Sequence, residues 1–230
     1  MLKFVQLLHF TSYIGGSMIQ IDDAGSGSFV GGTCIGVYRP ETNEYYFDII
    51  PVELYNKENF RKKMYLDEVI KITDTAFKNL RPARGETIEI CRGYMFDRLK
   101  VWLENNGYQW YSTQITGRVQ QVVEKNFELY AESLGLPWHY IKYTKYPFHF
   151  HKLLRWVYAD FDSRIKLCKV GWKSWQKIEG NMPDTSYASI VSPSCICMKC
   201  GRYIKQYSEI KAIRFVSNRE NYVYIHKNCG

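Results

Sequence analysis

The sequence predicts an α/β fold, in which a mixed β-sheet is flanked by helices, followed by a small C-terminal module. Two observations predict the sheet: three strand-like segments follow one another early in the chain, and strand-like and helical segments alternate after them. A third observation predicts the module, because four of the seven cysteines lie in the last 36 residues.

The first three strands are predicted from apolar segments joined by short connections. A short, mainly apolar stretch from Ile19 ends in two carboxylates, and residues 31–41 and 44–54 are rich in β-branched and aromatic side chains. Pro40 and Asn43 supply turn residues between the second and third segments. Because short loops join antiparallel neighbours, these segments indicate an antiparallel meander.

The elements that follow alternate between helix and strand. Residues 57–80 predict a helix because Leu66, Ile70, Phe77 and Leu80 recur on one face, and Arg81-Pro82 ends it. The remaining predicted elements are a strand in 86–96, a helix in 97–108, a strand in 109–116, and helices in 118–135 and 152–168.

Composition and length predict a two-part protein of the cytoplasm. We assign residues 1–180 to the α/β domain, residues 181–194, rich in small and turn residues, to a linker, and residues 195–230 to the module. No segment has the ~18–20 continuous apolar residues of a membrane span, so no membrane partner is expected. Isolated cysteines inside apolar segments are typical of a reduced compartment.

The C-terminal module carries the most specific motif of the sequence. Cys197 and Cys200 form a CxxC followed by glycine, and His226 and Cys229 form an HxxC after a 25-residue loop. Three thiolates and an imidazole are a ligand set that tetrahedral Zn²⁺ prefers. The pattern resembles a treble-clef or LIM-type finger, which implies a structural zinc. Cys195 is expected to remain outside the ligand set.

The first predicted strand ends in two carboxylates, Asp22 and Asp23, followed by the glycine-rich segment AGSGSFVGG. One interpretation is a tight turn with solvated acids. The other is that a charged group must approach these carboxylates closely, since glycine leaves room for it.

The segment DDAGSGSFVGG on a first strand resembles the entry motif of the ribonuclease H-like superfamily, which includes the RuvC-type resolvases. The segments TIEI and QITGRVQQVVEKNFELYAESLGLP look similar to later elements of these proteins. The resemblance implies a nuclease that cleaves phosphodiester bonds with Mg²⁺ or Mn²⁺, and a possible homodimer. It implies the following catalytic carboxylates: Asp22, Asp23, Glu89, Asp160 and Asp162.

Other functions use the same residues. The chain can be a non-enzymatic nucleic-acid- or protein-binding module on the same fold, in which Glu89 is an edge residue facing water. The segment DAGS also looks like the phosphate-binding turn of actin-like and sugar-kinase ATPases, although the second phosphate loop of those proteins is not visible in this sequence.

Basic and aromatic residues in the second half of the chain predict a nucleic-acid partner. The formal net charge is +8, and residues 139–177 contain nine basic and only two acidic side chains. Aromatic rings stack on unpaired bases, and Lys and Arg neutralise phosphates. The residues expected to contact nucleic acid are Lys142, Lys145, Lys152, Arg155, Lys169 and Lys173.

Overall fold

The computed structural model of the chain describes residues 17–138, 141, 149–190 and 194–229. These residues divide into two compact units. The first unit comprises the described chain up to residue 27 and residues 31–130, and the second comprises residues 28–30 and the described chain from residue 131 onward. No helix within the described ranges is long and apolar enough to cross a membrane.

The first unit contains a five-stranded mixed sheet with the strand order β3-β2-β1-β4-β5. Strand β1 pairs antiparallel with β2 and parallel with β4, so it is the middle strand of the sheet. The predicted α/β architecture is confirmed at this level. The strands are β1 (Met18–Ala24), β2 (Thr33–Arg39), β3 (Glu44–Ile50), β4 (Thr87–Cys91) and β5 (Trp110–Thr113).

Helices pack on both faces of this sheet. Apolar residues of α2 and α3 form a buried cluster with Ile19 and Ile21 of β1. On the other face, the position of Gly36 in β2 lies against the side chain of Val123 in α4. The helices are α1 (Lys57–Arg61), α2 (Met64–Leu80), α3 (Asp97–Asn105) and α4 (Arg118–Ser133).

The predicted helix over 57–80 is divided in two. Lys63 has a left-handed backbone with φ of 58°, which an α-helix does not allow, so α1 ends before it and α2 begins after it. The side chain of Asn56 accepts a hydrogen bond from the Asn59 backbone N–H and caps α1.

The second unit combines short helices with a three-stranded sheet of order β10-β9-β6 and a two-stranded β7-β8 hairpin. Its helices are α5 (Phe150–Tyr158), α6 (Phe161–Arg164) and α7 (Lys173–Gln176). Its strands are β6 (Asp184–Ser189), β7 (Cys195–Ile196), β8 (Tyr203–Ile204), β9 (Glu209–Val216) and β10 (Glu220–His226).

The helices and the Cys/His module of this unit share one hydrophobic core. The ring of Phe215 in β9 stacks on Tyr158 in α5 with the centroids 4.2 Å apart. The segment predicted as a linker contains strand β6, which pairs with β9 along its whole length. Its small and turn residues are tolerated because all six residues of this edge strand are exposed.

A three-residue segment from the N-terminal half belongs to the second unit. Phe29 is fully buried and stacks on Trp175, with the ring centroids 5.4 Å apart. The Lys169 backbone N–H donates a hydrogen bond to the Phe29 carbonyl, and Val30 forms an isolated β-bridge with Cys168. Part of the glycine-rich segment after β1 therefore has a packing role.

Candidate metal centre and acidic site

Four side chains in the second unit converge as the sequence predicts. The ligand atoms of Cys197, Cys200, His226 and Cys229 all lie within 4.8 Å of one another. The Cys197 and Cys229 sulfurs are 3.8 Å apart, and the Cys200 sulfur is 3.4 Å from His226 Nδ1. A tetrahedron with Zn–S bonds of about 2.3 Å has S–S edges of about 3.8 Å. The geometry therefore fits a zinc ion.

The backbone around the first ligand pair forms a tight turn. The Cys197 N–H donates to the Arg202 carbonyl at 2.9 Å, and the Gly201 N–H donates to the Cys197 carbonyl at 2.8 Å. Gly201 has φ of 73°, which only glycine adopts easily. The glycine after CxxC thus lets the chain reverse and present both sulfurs on one side.

The tautomer of the histidine ligand is set by a backbone carbonyl. His226 Nε2 lies 3.0 Å from the Tyr203 carbonyl oxygen, which can only accept a hydrogen bond. Nε2 therefore carries the proton, and Nδ1, which faces the sulfurs, is free to bind a metal. Burial opposes ionisation of Cys200, but hydrogen bonds from the Arg202 backbone and guanidinium lower the pKa of its thiol to about 6.

The turn that carries Cys197 and Cys200 is held by a buried arginine, Arg164. Arg164 donates hydrogen bonds to the carbonyls of Met198 and Lys199, each at 2.8 Å, and to the Trp156 carbonyl at 2.6 Å. Its guanidinium carbon lies 4.1 Å from the centre of the Trp156 ring. Sequence reasoning did not identify Arg164, because its partners are backbone atoms of a loop that lies more than 30 residues away.

Cys195 lies outside this cluster. It belongs to β7, where it pairs with Ile204, and it is not among the four side chains whose ligand atoms converge. A metal ion bound tetrahedrally by these four side chains would have all four positions occupied by protein atoms. Such closed sites are structural.

The two carboxylates at the end of β1 point to opposite faces of the sheet. Side chains alternate along a strand, so Asp23 shares its face with Ile19 and Ile21, which pack against α2 and α3. Asp22 is paired with Gly36, whose position contacts α4, and only 4% of Asp22 is exposed. The two acids therefore cannot act together on one side of β1.

Asp22 occupies an electrostatically unfavourable position. Burial raises the pKa of the Asp22 carboxyl to about 6, and the charges of Asp23 and Glu124 add to this effect. Hydrogen bonds from the Cys91 thiol and the Asp23 backbone partly offset it. Raised pKa values in carboxyl groups are frequent at functional sites.

Sequence reasoning missed Cys91 and Glu124 as neighbours of Asp22. Burial and the adjacent Asp22 raise the pKa of the Cys91 thiol to about 12. The sequence does indicate that Glu124 lies on the amphipathic helix α4, where it directly follows Val123. The register that brings it near β1 cannot be derived from one sequence.

Glu89 lies on the strand next to β1 but is engaged elsewhere. In the parallel register it is opposite Gln20, two residues before the level of Asp22. Gln20 Nε2 donates to one carboxylate oxygen at 2.7 Å, and the Tyr111 hydroxyl donates to the other. Within the described ranges, the Cys/His cluster is the single group of three or more ligand side chains that meets the geometry for a metal ion.

The two remaining predicted acids belong to the second unit. Asp160 immediately precedes α6 and forms an ion pair with Lys199 at 3.3 Å. Asp162 is exposed in the first turn of α6. The ion pair connects the start of α6 to the turn that carries Cys197 and Cys200, because Lys199 lies between these two residues.

Two of the glycines after β1 are required for packing rather than for access. A Cβ at Gly25 would lie 2.1 Å from the Phe127 ring, and a Cβ at Gly32 would lie 1.8 Å from the Ile50 carbonyl oxygen. Gly27, in contrast, has open space around the position of a Cβ. Of these three, only Gly27 fits the expectation that glycine leaves room for an approaching group.

The predicted nucleic-acid-binding residues differ in their exposure. Lys142 and Lys145 lie outside the described residues. Lys152 is half-buried on α5, whereas Arg155 on the same helix and Lys173 are exposed.

Lys169 does not fit the predicted surface role, because it is fully buried. Its backbone is held in the core by the bond to Phe29, and its ammonium lies 5.3 Å from the centre of the Trp172 ring.

The sequence was also compared with known proteins. No protein-family model matches it, and no curated protein matches it.

Proposed function

We propose that this chain is a nucleic-acid-binding protein whose first unit is a ribonuclease H-like domain that cleaves phosphodiester bonds with Mg²⁺ or Mn²⁺. The observation that carries the proposal is the position of Asp22, a buried carboxyl at the end of the middle strand of a mixed sheet. A bound hard divalent cation would stabilise the ionised form of such a desolvated carboxylate, whose charge is opposed by the charge of Glu124.

The element order supports the same proposal. Three antiparallel strands precede two parallel strands that alternate with helices, as the resemblance to the ribonuclease H-like superfamily implies. In the proposed site, Asp22 binds the metal ion, and Glu124 of α4 is a candidate partner because its charge acts on the Asp22 carboxyl. Mg²⁺ commonly binds to one or two carboxylates and completes its shell with water and phosphate oxygens.

The second unit supplies the binding surface in this proposal. Its exposed basic side chains attract phosphates, and a structural zinc ion held by the Cys/His cluster maintains the fold that presents them. Such binding weakens with salt because bound phosphates release counterions.

A non-enzymatic binding module is the second candidate function. It is favoured by the hydrogen bonds that Glu89 receives from Gln20 and Tyr111, since a catalytic carboxylate would be expected to face the metal ion instead. In this alternative, the acids of β1 have no chemical role.

One panel of binding and cleavage assays on the parent protein distinguishes the nuclease from the binding module. Single strands, duplexes, RNA–DNA hybrids and branched junctions are incubated with Mg²⁺ or Mn²⁺, and binding and cleavage are measured together. Cleavage of any substrate, abolished by chelator and restored by metal, supports the nuclease. Salt-sensitive binding without cleavage in both metals supports a nucleic-acid-binding module, and absence of binding to every substrate contradicts both the nuclease and that module.

A further inference from the structure

A surface groove in the second unit combines cationic, aromatic and apolar side chains. It has a volume of about 460 Å³, which is within the range of roughly 300–1,000 Å³ found for ligand sites. Helix α5 contributes the basic side of the groove, and the β7-β8 hairpin and β10 contribute the rest. The lining residues are Lys152, Arg155, Ser194, Cys195, Ile196, Met198, Tyr203 and Tyr224.

The charge of this groove selects an anionic ligand. Lys152 and Arg155 are three residues apart on α5, so they project on the same side of the helix. No carboxylate is among the described residues that line the groove. Among the described residues, the Arg155 guanidinium makes one long hydrogen bond, 3.5 Å to the Tyr222 carbonyl, and this geometry leaves further N–H groups to face a phosphate.

The aromatic side chains of the groove indicate what else the ligand contains. Tyr203 is 72% exposed and Tyr224 is 39% exposed, although large aromatic side chains usually bury most of their surface. Met198 and Ile196 add apolar surface beside them. A ligand that covers these rings therefore needs flat apolar faces next to its negative charges.

We propose that this groove binds a single-stranded segment of nucleic acid, with unpaired bases stacked on Tyr203 and Tyr224 and phosphates at Lys152 and Arg155. This inference rests on the proposed function and specifies its substrate class. The bases of a duplex are already stacked on one another and cannot cover a tyrosine ring, whereas unpaired bases can. The groove thus distinguishes single strands from duplexes through its aromatic side chains, while its cations attract both.

Substitutions of Tyr203 test the stacking contact. Affinity for a short oligothymidylate is measured by fluorescence anisotropy, and zinc content is measured on the same samples as a check of folding. Tyr203→Ala is expected to weaken binding at least about fivefold, because base–aromatic stacking is worth ~1–3 kcal/mol per base. Tyr203→Phe retains the ring and is expected to bind like the parent.

A matched control exists on another strand of the same unit. Tyr187 is 67% exposed on β6 and does not line this groove, so Tyr187→Ala is expected to leave the affinity unchanged. Equal losses in Tyr203→Ala and Tyr187→Ala, or no loss in Tyr203→Ala, would overturn the proposal.

The same experiment separates this inference from the proposed function. A duplex serves as the second probe. If the parent protein binds the duplex as tightly as the oligothymidylate and Tyr203→Ala changes neither affinity, the protein binds nucleic acid, but this groove is not a single-strand site. A parent protein that binds no member of the panel described under the proposed function contradicts the proposed function itself.

Discussion

Replacing Asp22 with asparagine is expected to stabilise the first unit. Asp22 is almost fully buried, and burial raises the pKa of its carboxyl from 3.8 to about 6. Because the folded pKa is raised, the favourable contribution of the neutral carboxyl is complete below pH 3.8 and is lost as the pH rises through about 6. The amide of an asparagine at this position would be neutral at every pH and would avoid this loss.

The magnitude follows from the size of the shift. A difference of about two pKa units corresponds to about 3 kcal/mol at 1.36 kcal/mol per unit. Solvent near the end of β1 screens the charge, so we expect Asp22→Asn to raise the free energy of unfolding by about 1–2 kcal/mol at about pH 8. Below about pH 4 the two proteins should be nearly equal in stability.

The assay must report on the first unit alone. Urea unfolding is therefore followed by hydrogen exchange of peptides from β1, β2 and β4, in chelator, at several pH values. Asp48→Asn, which changes an exposed carboxylate on β3 of the same sheet, serves as the control and should change stability little. A gain that is absent at pH 8, or that is as large at pH 4 as at pH 8, would refute the electrostatic argument.

Three further predictions concern the metal centre and the packing. Cys197→Ser is expected to abolish bound zinc in elemental analysis, whereas Cys195→Ser should leave the zinc content unchanged, because only the former is among the converging ligands. Arg164→Lys should reduce the stability of the second unit by about 2–4 kcal/mol in urea unfolding, since an ammonium cannot reproduce the three hydrogen bonds and the stacking of the guanidinium. Gly32→Ala should lower the melting temperature strongly, because the added Cβ would clash with the Ile50 carbonyl oxygen. Gly27→Ala should leave the melting temperature nearly unchanged, because the added Cβ has open space around it.

The elements that local sequence determines were predicted correctly. Alternating apolar residues and turn residues indicated the first three strands, and the apolar stripe of residues 118–135 indicated α4. The Cys/His cluster was predictable for the same reason, since CxxC-Gly and HxxC each fix a local turn and their residue types are those that zinc prefers.

Features that depend on register and long-range contacts could not be predicted. The break at Lys63 and the formation of β6 from residues typical of a linker are set by packing rather than by local preference. Which residue of β4 lies near Asp22 depends on strand register, and the structure places Cys91 there rather than Glu89. The burial of Lys169 could not be predicted either, because the residue bonds through its backbone to Phe29, which lies far earlier in the chain.

The opposite orientation of Asp22 and Asp23 gives the most direct test of the proposed nuclease. Asp22→Asn and Asp23→Asn are prepared separately, and each is assayed for cleavage and for binding of the best substrate of the parent protein in Mn²⁺. We predict that Asp22→Asn binds at least as tightly as the parent, because a negative charge near phosphate is removed, but does not cleave. Cleavage by Asp22→Asn at the rate of the parent protein would contradict the assignment of the metal site to Asp22.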